Sequence, residues 1–181
     1  MIVAVFGGAG AKPGDGNYLQ AFDLGTSLAK AGHTVMTGGY IGIMEAASRG
    51  ASEAGGHVIG VTCDEIEAFR PIKPNQWVKE EWRYGALSDR LMNLVNRCDA
   101  AIAMPGGIGT LAELSILWNQ ILIKAIPPKP LILYGAGWKT TIDTLIAEQG
   151  EFITSHDRDI IQFASDVHTA LNFLTARISL E

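Results

Sequence analysis

"AIAMPGGIGTLAEL", residues 101–114, runs an apolar stretch into a Pro-Gly-Gly turn and out into an apolar segment of helical character. A continuous apolar run that stops at glycine reads as a parallel strand buried on both faces, and the segment beyond it as a helix covering that sheet. Three glycines and a threonine fall within positions 105–110, and one acid, Glu113, follows in an otherwise uncharged run. A strand at 100–104 and a helix near 110–124 therefore make one βα unit. The rest of the chain repeats it.

"IVAVF" (2–6) ends at Gly7-Gly8, and a glycine- and proline-rich loop leads to a helix over 18–31, with Asn17 as cap and Gly32 as stop. "TVMT" (34–37) ends at Gly38-Gly39 before a helix near 41–54, and "HVIGV" (57–61) is a third strand. The next stretch, "TCDEIEAFRPIKPNQWVKEEW" (62–82), carries two prolines and reads as an irregular surface excursion. A helix over 85–97 places Leu87, Leu91, Leu94 and Cys98 on one stripe. "PLILY" (130–134) is the fifth strand, followed by a helix near 138–149. A short strand around 159–162 and a last helix complete the set, with Ser165 as cap and Val167, Leu171, Leu174 and Ile178 inward. The alternation predicts an α/β fold: a single doubly wound, Rossmann-like domain over residues 1–181, its parallel sheet covered by helices on both faces.

Of the 181 residues 48% are hydrophobic and 18% charged, a balance that builds a core. A net charge of −5 with no block of like charge argues against a nucleic-acid backbone or an anionic membrane as partner. No stretch approaches the ~20 apolar residues of a membrane span, and "IVAVF" is too short and lacks the basic lead-in of a secretory signal. Cys63 and Cys98 lack metal-ligand spacing and read as buried reduced thiols, which suits a cytoplasmic protein. The four histidines are scattered, so no metal site is expected.

In doubly wound sheets ligands bind beyond the carboxyl ends of the strands, where strand order reverses. A Rossmann-like order makes strands 2–6 and 100–104 neighbours at that point. The loops "GGAGAKPGDG" (7–16) and "PGGIGT" (105–110) then converge, and "GGYIG" (38–42) adds a third. Glycine lets backbone approach a ligand closely, and each loop opens a helix whose free N–H groups attract anions. Gly7, Gly8, Gly38 and Gly39 thus join the 105–110 turn as candidate phosphate-binding positions. No GxxxxGK[ST] occurs, and no GxGxxG opens the first helix, which argues against a P-loop nucleotidase and a dinucleotide oxidoreductase.

Glu113 admits two roles. Thr110-x-x-Glu113 has the spacing of a capping box, with Thr110 as N-cap. Alternatively its carboxylate projects beside the turn, to stabilise developing positive charge or to activate water. Arg90 borders the apolar stripe of its helix and is either solvated and ion-paired or turned into the cleft.

"PGGIGTLAE" (105–113) resembles the PGGxGTxxE signature of the LOG ("Lonely Guy") family, whose members are often labelled possible lysine decarboxylases. "GGYIGIM" (38–44) is similar to the family's GGGxxGLM segment. "VFGGAG" (5–10), Tyr18 and "LGTSLAKAGHTVMTGG" (24–39) are similar to its amino-terminal strand, helix and strand, and "GGHVIGV" (55–61) and "CDAAIAMPGG" (98–107) also fit.

The resemblance implies cleavage of the N-glycosidic bond of a nucleoside 5′-monophosphate, AMP or an N6-substituted cytokinin ribotide, to free base and ribose 5-phosphate, with no cofactor. It implies that Gly106, Gly107, Gly109 and Thr110 hold the phosphate and that Arg90 and Glu113 are the catalytic pair. A carboxylate beside the ribose would stabilise an oxocarbenium-like transition state, and an arginine would orient it. A homodimer or tetramer is implied as well, and the segment 111–126, apolar on more than one face, fits it. Three positions depart from the pattern: Leu91 replaces a lysine, Ala9 a serine and Glu45 a small residue. Some relatives are described as molybdenum-cofactor carriers, so the alternative is a non-catalytic carrier of a nucleotide-like or pterin-phosphate ligand. A lysine decarboxylase is not expected, because the His-Lys pair that often marks a pyridoxal-phosphate lysine is absent.

Overall fold

Seven strands align in parallel in the computed structural model of the protein, which describes residues 1–175. They are β1 (Ile2–Phe6), β2 (Thr34–Thr37), β3 (Val58–Cys63), β4 (Glu80–Tyr84), β5 (Ala100–Ala103), β6 (Leu131–Tyr134) and β7 (Ile161–Ala164), in the order 4-3-2-1-5-6-7. Between them run α1 (Gly16–Lys30), α2 (Ile43–Glu53), α3 (Asp64–Phe69), α4 (Leu87–Asn96), α5 (Ile108–Leu122), α6 (Ala136–Gln149) and α7 (Ser155–Asp159), and α8 (Val167–Thr175) follows β7. The chain winds outward from β1 to β4, then crosses back to lay β5 on the other side of β1. Strand order reverses there, so a crevice opens beyond the carboxyl ends of β1 and β5.

The apolar runs form strands because both of their faces are covered. In β1, Val3 and Val5 enter one core and Ala4 and Phe6 the other, the period-two alternation of a strand buried twice. Ile102 and Ile132 join the first core, which α1, α2 and α8 cover. Ala101 and Leu131 join the second, beneath α4, α5 and α6. Cys63 and Cys98 are buried free thiols. No described helix is long and apolar enough to cross a membrane.

The stretch 62–82 is not an irregular excursion: it supplies α3 and the edge strand β4. β4 pairs with β3 and alternates, Trp82 and Tyr84 half-buried against exposed Glu81 and Arg83. A charged outer face is how an edge strand resists further pairing, and it hid the strand from an apolar-run reading. The stripe expected on α4 is rotated: Leu87 is exposed, Leu91 half-buried, and Arg90, Leu94 and Val95 face inward. α1 opens at Asp15 rather than Asn17, and the Asp15 carboxylate accepts the N–H of Lys12. Asp166, not Ser165, caps α8, its carboxylate accepting the N–H of Thr169 at 2.8 Å. Ile178 lies outside the described residues. The strand expected around 159–162 is β7, displaced by the short helix α7 before it.

Candidate active site

Backbone hydrogen bonds stitch the crevice together. The Gly8 N–H donates to the Pro105 carbonyl at 3.1 Å, and the Gly8 carbonyl accepts from Ile43 at 3.0 Å. A cavity of about 280 Å³ opens here, bordered by Gly7, Gly107, Gly109, Thr110, Arg90 and Glu113. Beyond Gly8 and Gly107 a second hollow of about 370 Å³ is bordered by Gly10, Asp15 and Asn17. A larger hollow of about 420 Å³ lies at the far end of α5, between Ile121, Pro127 and Ile160. Its titratable lining is Lys124 and His156, with no carboxylate among the described residues, whereas the crevice holds the buried Arg90 and Glu113.

The glycine turn opens α5 without a cap. Gly107 stands at the N-cap and no side chain bonds the first turn, so the N–H groups of Ile108, Gly109 and Thr110 are left for an external acceptor. Gly107 and Gly109 have open space where a side chain would stand. Gly106 has none, because a Cβ there would overlap the Thr110 side chain. Thr110 sits within the first turn, so the expected capping box with Glu113 does not form. That motif occurs instead at α7, between Thr154 and Asp157.

One turn further along α5, Glu113 faces inward. It is 8% exposed, and Arg90 from α4 is 5% exposed. Arg90 Nη1 lies 3.8 Å from Glu113 Oε1. The guanidinium is held by two carbonyls: Nε donates to Val61 at 2.7 Å and Nη2 to Gly38 at 3.3 Å. Burial pushes the Glu113 carboxyl up from 4.5 to about 7, although the charge of Arg90 pulls it down. A carboxyl poised there can take or give a proton near neutrality.

Gly38 and Gly39 border neither hollow. A Cβ on Gly38 would collide with the Arg90 guanidinium and the Met44 sulfur. Gly39 backs onto Gly60 and Thr62. Their loop seats Arg90 and contributes Tyr40 to the wall, and α2 behind it contributes Met44. Gly7, Gly8 and Ala9 do line the cavity. Leu91 borders neither hollow, and Glu45 turns away to accept the Tyr18 hydroxyl at 3.1 Å. Two of the three departures thus leave the cavity wall unchanged.

Ile66, Arg70 and Ile72 complete the wall, and sequence reasoning passed over all three. They stand on a rim, 64–75, that is pinned at several points. Arg83 forks onto Glu67 at 2.9 and 3.0 Å, Glu65 accepts the Leu87 N–H at the start of α4 at 2.7 Å, and the Asn75 amide donates to the carbonyls of Gly39 and Tyr40 at 3.0 and 2.9 Å. The available signal was Asp64, Glu65 and Glu67 clustered ahead of the alternating "EEWRY".

The family model described as "Possible lysine decarboxylase" matches residues 44–174. The chain is 35% identical over 130 residues to LOGL5 of Oryza sativa subsp. japonica, named a probable cytokinin riboside 5′-monophosphate phosphoribohydrolase, covering 69% of this chain and 51% of that protein. It is 34% identical over 149 residues to the cytokinin riboside 5′-monophosphate phosphoribohydrolase LOG4 of Arabidopsis thaliana, covering 78% of this chain and 66% of that one. The chain spans about half the length of the first of these relatives. The solved structure of the molybdenum cofactor binding protein from Rippkaea orientalis is similar, with a TM-score of 0.74 and 26% identity over 94% of this chain and 93% of that one.

Proposed function

The chain belongs to the LOG family, whose model carries the description possible lysine decarboxylase, and from that premise we propose that it hydrolyses the N-glycosidic bond of a nucleoside 5′-monophosphate, AMP or an N6-substituted AMP. The observation that carries the reading is the buried Arg90–Glu113 pair, in one cavity with an uncapped helix N-terminus. The free N–H groups at 108–110 and the Thr110 hydroxyl receive the 5′-phosphate. The ribose then lies toward Glu113.

Bond cleavage builds positive charge on the ribose ring, and the Glu113 carboxylate stabilises it. Water attacks C1′ and passes a proton to that carboxylate. The C1′–N bond breaks with its electron pair on the base, and Glu113 returns the proton to the departing nitrogen. The products are free base and ribose 5-phosphate. Arg90, fixed by two carbonyls, holds the carboxylate in place. No lysine borders this cavity among the described residues.

A second reading, a non-catalytic carrier of a nucleotide-like or pterin-phosphate ligand, is favoured by the likeness to the molybdenum cofactor binding protein over nearly the whole chain. Incubating the purified protein with AMP and with an N6-substituted AMP separates the two. Free base and ribose 5-phosphate in equal amounts are expected. Tight binding with no base released would move the protein to the carrier class.

The outer face of α5 supports self-association. Leu114, Leu117 and Ile121 meet the sheet and Trp118 and Leu122 pack half-buried beside them, while Ile108 and Leu111 are exposed. A second copy docking there would give a homodimer, the basis also of a tetramer.

A further inference from the structure

Two arginines border the 280 Å³ cavity, and they are held differently. Arg90 has Nε and Nη2 bound to carbonyls and Nη1 beside Glu113. Arg70 is exposed; its backbone N–H bonds the Ile66 carbonyl at 2.8 Å, and its side chain has no polar partner among the described residues. Its position is nonetheless fixed. It ends α3 and precedes Pro71, whose ring restricts the backbone. Glu67 and Glu65 anchor the segment before it, and Asn75 anchors the segment after it onto the loop that seats Arg90.

The opposite member of this arrangement is the turn, which offers an anion only neutral donors, the backbone N–H groups and a hydroxyl. A phosphate monoester carries about −1.5 to −2 charges near neutrality, and Glu113 adds negative charge to the same cavity as it ionises. Desolvating such an anion calls for a cation that can approach it, and the planar fork of arginine suits phosphate oxygens. Leu91 supplies none. We propose that Arg70 is the phosphate-gripping side chain of this site, closing its guanidinium on the 5′-phosphate from the 64–75 rim. The assignment rests on the phosphate-ester reading above.

Titration calorimetry of the wild type, Arg70→Ala, Arg70→Lys and Lys73→Ala with AMP, ribose 5-phosphate and adenosine tests it. Arg70→Ala should weaken AMP and ribose 5-phosphate by about 10- to 100-fold, the loss of a charge-assisted contact, and leave adenosine within about threefold. Arg70→Lys should recover part of the loss. Lys73→Ala removes a charge from the same rim without touching the cavity wall and should bind both phosphate esters like the wild type. Unchanged affinity for both esters in Arg70→Ala overturns the proposal and leaves the functional reading standing. An equal loss for adenosine, or for Lys73→Ala, also overturns it, because the effect would then not be a phosphate contact. A wild type that binds neither ester overturns the reading and the proposal together.

Discussion

Replacing Glu113 by glutamine, which removes one partner of a buried ion pair, should shift stability in the variant's favour as pH rises through neutrality. The carboxyl is 8% exposed, and its 3.8 Å separation from Arg90 does not offset its burial, so it is pushed from 4.5 up to about 7. At pH values below the lower figure, the folded and unfolded chains both hold the proton. Between the two the folded chain keeps a proton that the unfolded chain has released, and stability falls as pH rises. Above the upper figure both are ionised, and the folded state carries the whole cost of a buried charge. The rise corresponds to about 3 kcal/mol. Glutamine keeps the shape and does not titrate, while every other group is shared, so the difference between the two proteins isolates this carboxyl. Urea unfolding of both from about pH 5 to about pH 8.5 measures it. The stability of Glu113→Gln relative to the wild type should rise with pH by about 3 kcal/mol and level off above neutrality. Stability profiles that run parallel within about 0.5 kcal/mol would show that the folded state does not raise this pKa.

Gly38→Ala should displace the Arg90 guanidinium, costing about 1–3 kcal/mol by overpacking and slowing base release at least ~10-fold. A thermal melt and an AMP assay read both, and unaltered turnover would refute the seat. A Cβ at Gly107 meets no atom within 4 Å, and the φ of −103° there is outside the left-handed region, so Gly107→Val keeps the backbone sign that a side chain needs. It should melt like the wild type yet lose at least ~10-fold in AMP affinity by calorimetry. Equal affinity would remove the phosphate from this turn. Light scattering at micromolar concentration should find a dimer that Leu111→Lys converts to monomer, and a monomeric wild type would dismiss the α5 interface.

The strands legible in the sequence were those buried on both faces, because an unbroken apolar run such as "IVAVF" has no other economical use. β4 escaped because, unlike the other edge strand β7, it turns one face to solvent, leaving Glu80, Glu81 and Arg83 to dominate its composition. Glu113, Arg90 and the 105–110 turn stood out, and the structure brings them to one cavity. What Gly38 stands against was not legible: a glycine that admits an arginine from 52 residues away looks in sequence like one that admits a ligand. The capping box failed because helix spacing alone does not fix the start. α5 begins with Gly107 at its N-cap, and this turns Thr110 and Glu113 from cap into wall. Arg70 carried no motif at all, and only the pinned rim gives it a place.

Single-turnover hydrolysis of AMP by Glu113→Gln, set beside the wild type and beside the AMP affinity of each, bears on the catalytic pair itself. The amide preserves shape and binding but removes the charge where the ribose becomes cationic. Base release should be at least ~100-fold slower in the variant, with AMP affinity within a few-fold of the wild type. Wild-type turnover by Glu113→Gln would contradict a catalytic role for the carboxylate.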